Sequence, residues 1–106
     1  MDDRRPTIST HVLDVGHGRP AVGVNVFLWR VGGEEERRIG AGTTDEDGRI
    51  ARLIEELEAG DYELRFDIGG PFFLGMSVAI RVDDTSRSYH VPLIIAPYSL
   101  ATYRGS

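Results

Sequence analysis

The sequence predicts an all-β domain, a two-sheet antiparallel sandwich of about eight short strands, and three observations carry that prediction. Residues 61–68 alternate Tyr62, Leu64, Phe66 and Ile68 with Glu63, Arg65 and Asp67, the period of a half-buried strand. Residues 22–31 are dense in β-branched and aromatic side chains, which favour pleated structure. Turn-forming clusters recur between the apolar runs: Gly32-Gly33, Asp45-Glu46-Asp47-Gly48, Gly69-Gly70-Pro71 and Asp84-Thr85-Ser86.

Taken in order, residues 7–14 follow Pro6 and set Ile8, Val12 and Leu13 among Thr, Ser and His, a first strand. Gly16, Gly18 and Pro20 then make a loop, in which His17 is expected to be solvated. The strand over 22–31 is apolar on both faces, Val24/Val26/Leu28 and Phe27/Trp29/Val31, so the core is expected on one side and another subunit on the other. Glu34, Glu35 and Glu36 mark a solvated hairpin tip, and residues 37–44 return as a strand to the Asp45–Gly48 turn.

Residues 49–60 admit two readings. Ile50, Leu53, Ile54 and Leu57 fall at helical spacing with Gly60 placed as a C-cap. The stretch is short for an isolated helix and lies in an all-β chain, so a short strand followed by a loop is favoured. After the 61–68 strand, residues 72–75 connect to an alternating strand over 76–83 through Val78, Ile80 and Val82. Residues 88–95 place Tyr89, Val91, Leu93 and Ile95 on one face and His90, Pro92 and Ile94 on the other. Pro92 has no N–H for a ladder, which predicts a bulge or an edge position. Ala96-Pro97 turns the chain into a last strand over 98–104.

A chain of 106 residues makes one domain, residues 1–106, with residues 1–6 expected as an extended or disordered tail. Area scaling gives it burial of roughly 60–65% of its unfolded surface, enough for a modest core. The net charge is −5 and there is no Lys, which argues against a nucleic-acid partner. All twelve cations are Arg, a set suited to carboxylates and anionic heterocycles, although a GC-biased genome explains the same bias and is the preferred reason. Without Cys there is no disulfide, thiolate or Cys-zinc chemistry. No apolar run approaches the ~20 residues that span a bilayer, and no secretory h-region follows Met1, so a soluble, cytoplasmic protein is expected.

The candidate chemistry lies in His11, Arg49, His90, Arg104 and the carboxylate of Ser106. Singly, a strand His is more often structural than catalytic. Together they offer imidazoles that titrate near neutrality and guanidiniums that hold anionic oxygens. A zinc site is disfavoured, because the three His lack close spacing and no Cys completes a set. A nucleophilic serine is disfavoured because no G-x-S-x-G elbow is present. The terminal Tyr103-Arg104-Gly105-Ser106 carries an unusual density of functional groups for a tail.

Six stretches carry a resemblance: Ser9-Thr10-His11-Val12-Leu13-Asp14, Gly18-Arg19-Pro20-Ala21, Thr44-Asp45-Glu46-Asp47-Gly48-Arg49, Tyr89-His90-Val91-Pro92-Leu93, Pro97-Tyr98-Ser99 and Tyr103-Arg104-Gly105-Ser106. They resemble the 5-hydroxyisourate hydrolases, or transthyretin-related proteins, over nearly the whole chain. The resemblance implies a transthyretin-like (prealbumin-like) sandwich, a homotetramer assembled as a dimer of dimers, and no cofactor. It implies hydrolysis of 5-hydroxyisourate to 2-oxo-4-hydroxy-4-carboxy-5-ureidoimidazoline, in the path from urate to allantoin. His11, His90 and Ser106 are then the expected catalytic residues, and His11, Arg49, Tyr103, Arg104 and Gly105 the substrate-binding ones. Which imidazole is the base stays open. Family members usually carry a longer connection after the strand ending at Asp67, often with a short helix, where this chain has only Gly69 to Gly75. The rival readings are a transthyretin-like carrier that binds a planar molecule without chemistry, and a structural sandwich within an assembly.

Overall fold

Side-chain alternation along eight residues fixes the centre of one sheet. The computed structural model describes residues 4–105. Its strands are β1 (Ile8–Asp14), β2 (Arg19–Pro20), β3 (Asn25–Val31), β4 (Arg37–Thr43), β5 (Arg49–Ile50), β6 (Gly60–Asp67), β7 (Gly75–Val82), β8 (Tyr89–His90), β9 (Leu93–Ala96) and β10 (Ser99–Thr102). Tyr62, Leu64 and Phe66 of β6 point inward, and β6 lies between β3 and β7 in an antiparallel sheet of order β4-β3-β6-β7. The second sheet is built on β1. One edge of β1 takes β2 and β5 antiparallel, the other takes β8 and β9 parallel, and β10 closes antiparallel on β9. Ile8, Val12, Val26, Leu28, Tyr62, Leu64 and Leu93 are fully buried between the two sheets.

The sandwich is the one expected, but its second sheet is mixed rather than purely antiparallel. Alternation states which face a residue takes and nothing about the direction of its neighbour. The chain leaves β1, traverses the opposite sheet and re-enters beside β1 from the same end, the long crossover that parallel pairing requires. The count of ten among the described residues exceeds eight because β2 is a two-residue piece in the expected loop and one expected strand is split into β8 and β9. The split falls at Val91-Pro92. Pro92 is neither at an edge nor free of partners: the Val91 carbonyl accepts from the Thr10 hydroxyl (2.6 Å) and the Pro92 carbonyl from the Thr102 hydroxyl (2.7 Å).

One expected boundary also shifts. The strand foreseen from residue 22 begins at Asn25, because Gly23 takes a left-handed φ of 81° and turns the chain. The outer faces of Phe27 and Trp29 are covered within the chain by guanidiniums, Arg38 at 5.3 Å and Arg65 at 4.1 Å from the ring centroids. Residues 49–60 are a short strand and a loop, as favoured, and no helix occurs among the described residues. The helical pattern loses because neighbours across the fold take its backbone groups: Leu53 N–H donates to the Ile8 carbonyl (2.8 Å), and the Thr7 hydroxyl to the Ile54 carbonyl (2.6 Å). The short 69–75 connection is a tight hairpin in which Ile68 and Gly69 both donate to the Leu74 carbonyl at 2.9 Å, leaving Phe72 and Leu74 exposed. Among the described residues no helix is long and apolar enough to cross a membrane.

Candidate active site

β1 has a regular alternation that gives it two faces. Ile8, Thr10 and Val12 are buried between the sheets, while Ser9 and His11 are half-buried on the outer face. Register then recruits the other residues. Across one edge His11 pairs with Arg49 of β5, and across the other Ser9 pairs with His90 of β8. Ile50 and Tyr89, the neighbours of Arg49 and His90, point into the core, so Arg49 and His90 share the outer face with Ser9 and His11.

The Asp45–Gly48 turn aims Arg49. The Asp45 carboxylate accepts from the backbone N–H groups of Asp47 (2.9 Å) and Arg49 (3.0 Å). The hydrogen bond from Arg49, followed by that from Asp47 and the charges of Arg49 and His11, holds this carboxyl below its usual value against a smaller opposing effect of burial. Gly48 has φ 76° and its carbonyl accepts from Val12 N–H at 2.7 Å. A Cβ there would run into the Val12 carbonyl oxygen, so the turn reaches β1 only with glycine. The same turn holds His11: its Nε2 lies 2.9 Å from the Asp47 carbonyl oxygen. A carbonyl only accepts, so Nε2 carries the hydrogen and Nδ1 is the nitrogen left for chemistry.

Burial, and then the charges of His11 and Arg49, push the His90 imidazole below its ordinary value of 6.5. It is therefore a neutral base at pH 7. Its Nδ1 lies 2.8 Å from the Ser9 hydroxyl oxygen. The tail adds a third restraint. Gly105 N–H donates to the His90 carbonyl (2.9 Å), and a Cβ on Gly105 would come within 2.5 Å of His90 Cδ2.

Arg104 is held on another flank of His90. Its guanidinium centre lies 4.6 Å over the ring of Tyr89, which is buried between the sheets. With Tyr103, Val78, Ile80 and His90 they line an apolar cleft of about 250 Å³. The structure thus brings His11, Arg49 and His90 together and packs Gly105 on His90, whereas Tyr103 and Arg104 meet His90 through the cleft. Ser106 lies outside the described residues. His17 is exposed but not merely solvated, since its Nδ1 pairs with the Asp14 carboxylate at 2.8 Å. Among the described residues no three His, Asp or Glu side chains converge to hold a metal ion.

The family model described as HIUase/Transthyretin matches residues 8–105. The chain belongs to the HIUase/Transthyretin family. A relative named 5-hydroxyisourate hydrolase from Deinococcus radiodurans is 42% identical over 115 aligned positions, covering 95% of this chain and 97% of its own. The structure of Klebsiella pneumoniae 5-hydroxyisourate hydrolase superposes with a TM-score of 0.83 at 35% identity, covering 94% of this chain and 99% of that one. Sea bream transthyretin in complex with thyroxine superposes with a TM-score of 0.85 at 27% identity, over 92% of each chain.

Within this HIUase/Transthyretin fold, sequence reasoning passed over Ser9, Asp45 and the Asp47 carbonyl. Ser9 was legible, because a residue two before His11 on a strand shares its face. Asp45 was recognised only as a turn former. The Asp47 carbonyl carries no side-chain signal at all.

Proposed function

We propose that this chain hydrolyses 5-hydroxyisourate, opening its ring with water to 2-oxo-4-hydroxy-4-carboxy-5-ureidoimidazoline as a step of urate breakdown. The observation that carries the reading is the neutral imidazole of His90 on the same outer face as the His11–Arg49 pair. A neutral imidazole accepts a proton from water, and a guanidinium beside it offsets the charge that builds on the attacked carbonyl. A protein that only held the substrate would need neither a depressed imidazole nor a second one oriented through its backbone.

In this mechanism water oxygen adds to a ring carbonyl carbon while His90 takes the water proton. The ring C–N bond then breaks as the departing nitrogen receives a proton. His90 passes the proton it took to that nitrogen and returns to its neutral form, while His11, tied at Nε2 to the Asp47 carbonyl, presents its Nδ1 lone pair to the reacting ring. Arg49 binds the oxygens of the planar, acidic ring through its fork of donors. Tyr103 and Arg104 close the site from the tail, Ser106 is assigned a catalytic role with His11 and His90, and the working assembly is a homotetramer with sites between subunits. The names of the Deinococcus and Klebsiella relatives support the reading.

The test is the loss of absorbance of freshly generated 5-hydroxyisourate with and without the protein. His11→Ala and His90→Ala should each lower kcat about 10²–10⁴-fold with the fold intact, the range of general acid–base groups. Arg49→Lys should also be damaging, because a point cation lacks the bidentate fork. Decay at the buffer rate with the parent protein, alongside binding of the substrate, would favour the carrier reading instead.

A further inference from the structure

Ser9 lies two residues before His11, and no step of the reaction described above uses it. Its hydroxyl oxygen is 2.8 Å from His90 Nδ1, and both side chains are half-buried. The contact is produced by the sheet. Ser9 and His90 are register partners in the parallel β1–β8 pair, and Tyr89 N–H and Val91 N–H clamp β8 to the Thr7 and Ser9 carbonyls at 2.9 Å each. Neither partner can drift from the other without breaking that ladder. On the far side of the ring, Gly105 packs against Cδ2, the carbon bonded to Nε2.

We propose that Ser9 is a positioning residue for the hydrolytic reaction, its hydroxyl accepting the Nδ1–H of His90 so that the Nε2 lone pair is the one offered to water. Only the naming of the reaction rests on the hydrolase reading; the contact between Ser9 and Nδ1 stands on the geometry. A neutral imidazole has one N–H and one lone pair, and two arrangements compete. In the first, Ser9 accepts from Nδ1–H and the lone pair sits on Nε2. In the second, Ser9 donates to Nδ1 and Nε2 carries hydrogen. Arg49 shares the outer face of the sheet with His90, and its guanidinium favours a lone pair, and disfavours an N–H, on the nitrogen that Ser9 leaves free. The first arrangement is the one that makes His90 a base. Without the hydroxyl, both tautomers and a flipped ring become accessible, and only part of the population is competent.

The experiment uses the full chain with 15N-labelled histidine. In the parent protein near pH 7, His90 should be protonated at Nδ1 and bare at Nε2. Ser9→Ala should give a mixture of tautomers, with kcat lowered about 3–10-fold, the range one side-chain hydrogen bond commands, and KM within about twofold. Ser9→Thr keeps an oxygen at the γ position on a β-compatible residue and should restore both the tautomer and kcat. Parent His90 protonated at Nε2 would overturn the proposal, as would unchanged kcat in Ser9→Ala or failure of a folded Ser9→Thr to recover it. If Ser9→Ala does not fold, the parent tautomer and Ser9→Thr still decide. A parent protein that leaves 5-hydroxyisourate untouched but shows the Nδ1–H tautomer would remove the hydrolase reading and keep the Ser9 lock.

Discussion

Replacing Gly105 by Ala adds one methyl group where the structure has no room for it. The Cβ would lie 2.5 Å from His90 Cδ2, 3.3 Å from His90 Cγ and 3.1 Å from Pro92 Cγ. Carbon atoms sit comfortably at about 3.5–4.0 Å, so the closest contact overlaps by at least about 1 Å. Pro92 is buried and its ring cannot rotate away. Two relaxations remain: the imidazole shifts by about an ångström, or the tail swings off and gives up the Gly105 N–H bond to the His90 carbonyl. Either displaces a part of the proposed site, and a 1 Å misplacement costs about 10²-fold. We therefore expect kcat/KM for 5-hydroxyisourate to fall about 10–100-fold. Stability should fall by only about 0.5–1.5 kcal/mol, the range of one hydrogen bond, because Gly105 follows the last strand and the bond to the His90 carbonyl is what the tail would give up. Initial-rate absorbance assays, with a urea titration as the control for folding, separate the two quantities. Gly105→Ala with kcat/KM within twofold of the parent, and an unmoved His90 Cδ2–H resonance, would refute the reasoning.

Further outcomes follow from the same site. Burial, His11 and Arg49 depress His90 from 6.5, so the base form is lost only as pH falls below that value, and the acid limb of kcat/KM should lie below pH 6.5. Arg49→Gln removes one of the charges and should raise the His90 titration seen by NMR toward 6.5; a downward move would contradict the assignment. The stability linked to this group is present above pH 6.5 and is lost as pH falls through the folded value, since the unfolded chain takes the proton the folded one resists. Gly48→Ala should destabilise by at least about 1–2 kcal/mol, the cost of a left-handed L-residue, with the clash on the Val12 carbonyl added. An unchanged urea midpoint would show that the turn adapts.

How far the fold was legible depends on which interaction sets each feature. The strands over 61–68 and 76–83 were readable because a sheet with one buried face imposes period 2 on its residues, and β6 and β7 follow it closely. The parallel β1–β8 and β1–β9 pairs were not, because strand direction is set by where the chain re-enters and leaves no local pattern. Ile50, Leu53, Ile54 and Leu57 mimic a helix for a related reason. Each is apolar because it meets the core, Ile50 from the end of β5 and the others from an irregular loop, and the bonds from Leu53 to Ile8 and from Thr7 to Ile54 outweigh a spacing that happens to be helical. Arginine cover on Phe27 and Trp29 comes from β4 and β6, so a reading of β3 alone could not find it.

The site was legible in its residues and not in its geometry. His11, Arg49 and His90 stood out as types, and family resemblance grouped them, but what unites them in space is a pair of register relations to one strand. Arg49 and His90 sit on strands of only two residues, one beginning directly after Gly48 and the other ending directly before Val91-Pro92. Strands that short have almost no pairing of their own to fix them. They are located by β1, whose seven residues are regular and whose inner face is anchored by the fully buried Ile8 and Val12. The candidate chemistry is therefore borne by weakly anchored segments and aligned by a strongly anchored one. This arrangement explains why the Asp45 cap, the Gly48 approach and the Ser9 hydroxyl all converge on the seams beside β1. It also means that a cavity opened under β1, as by Val12→Ala, should displace all three side chains at once, whereas a comparable cavity under β6 should lower stability and leave their mutual geometry in place.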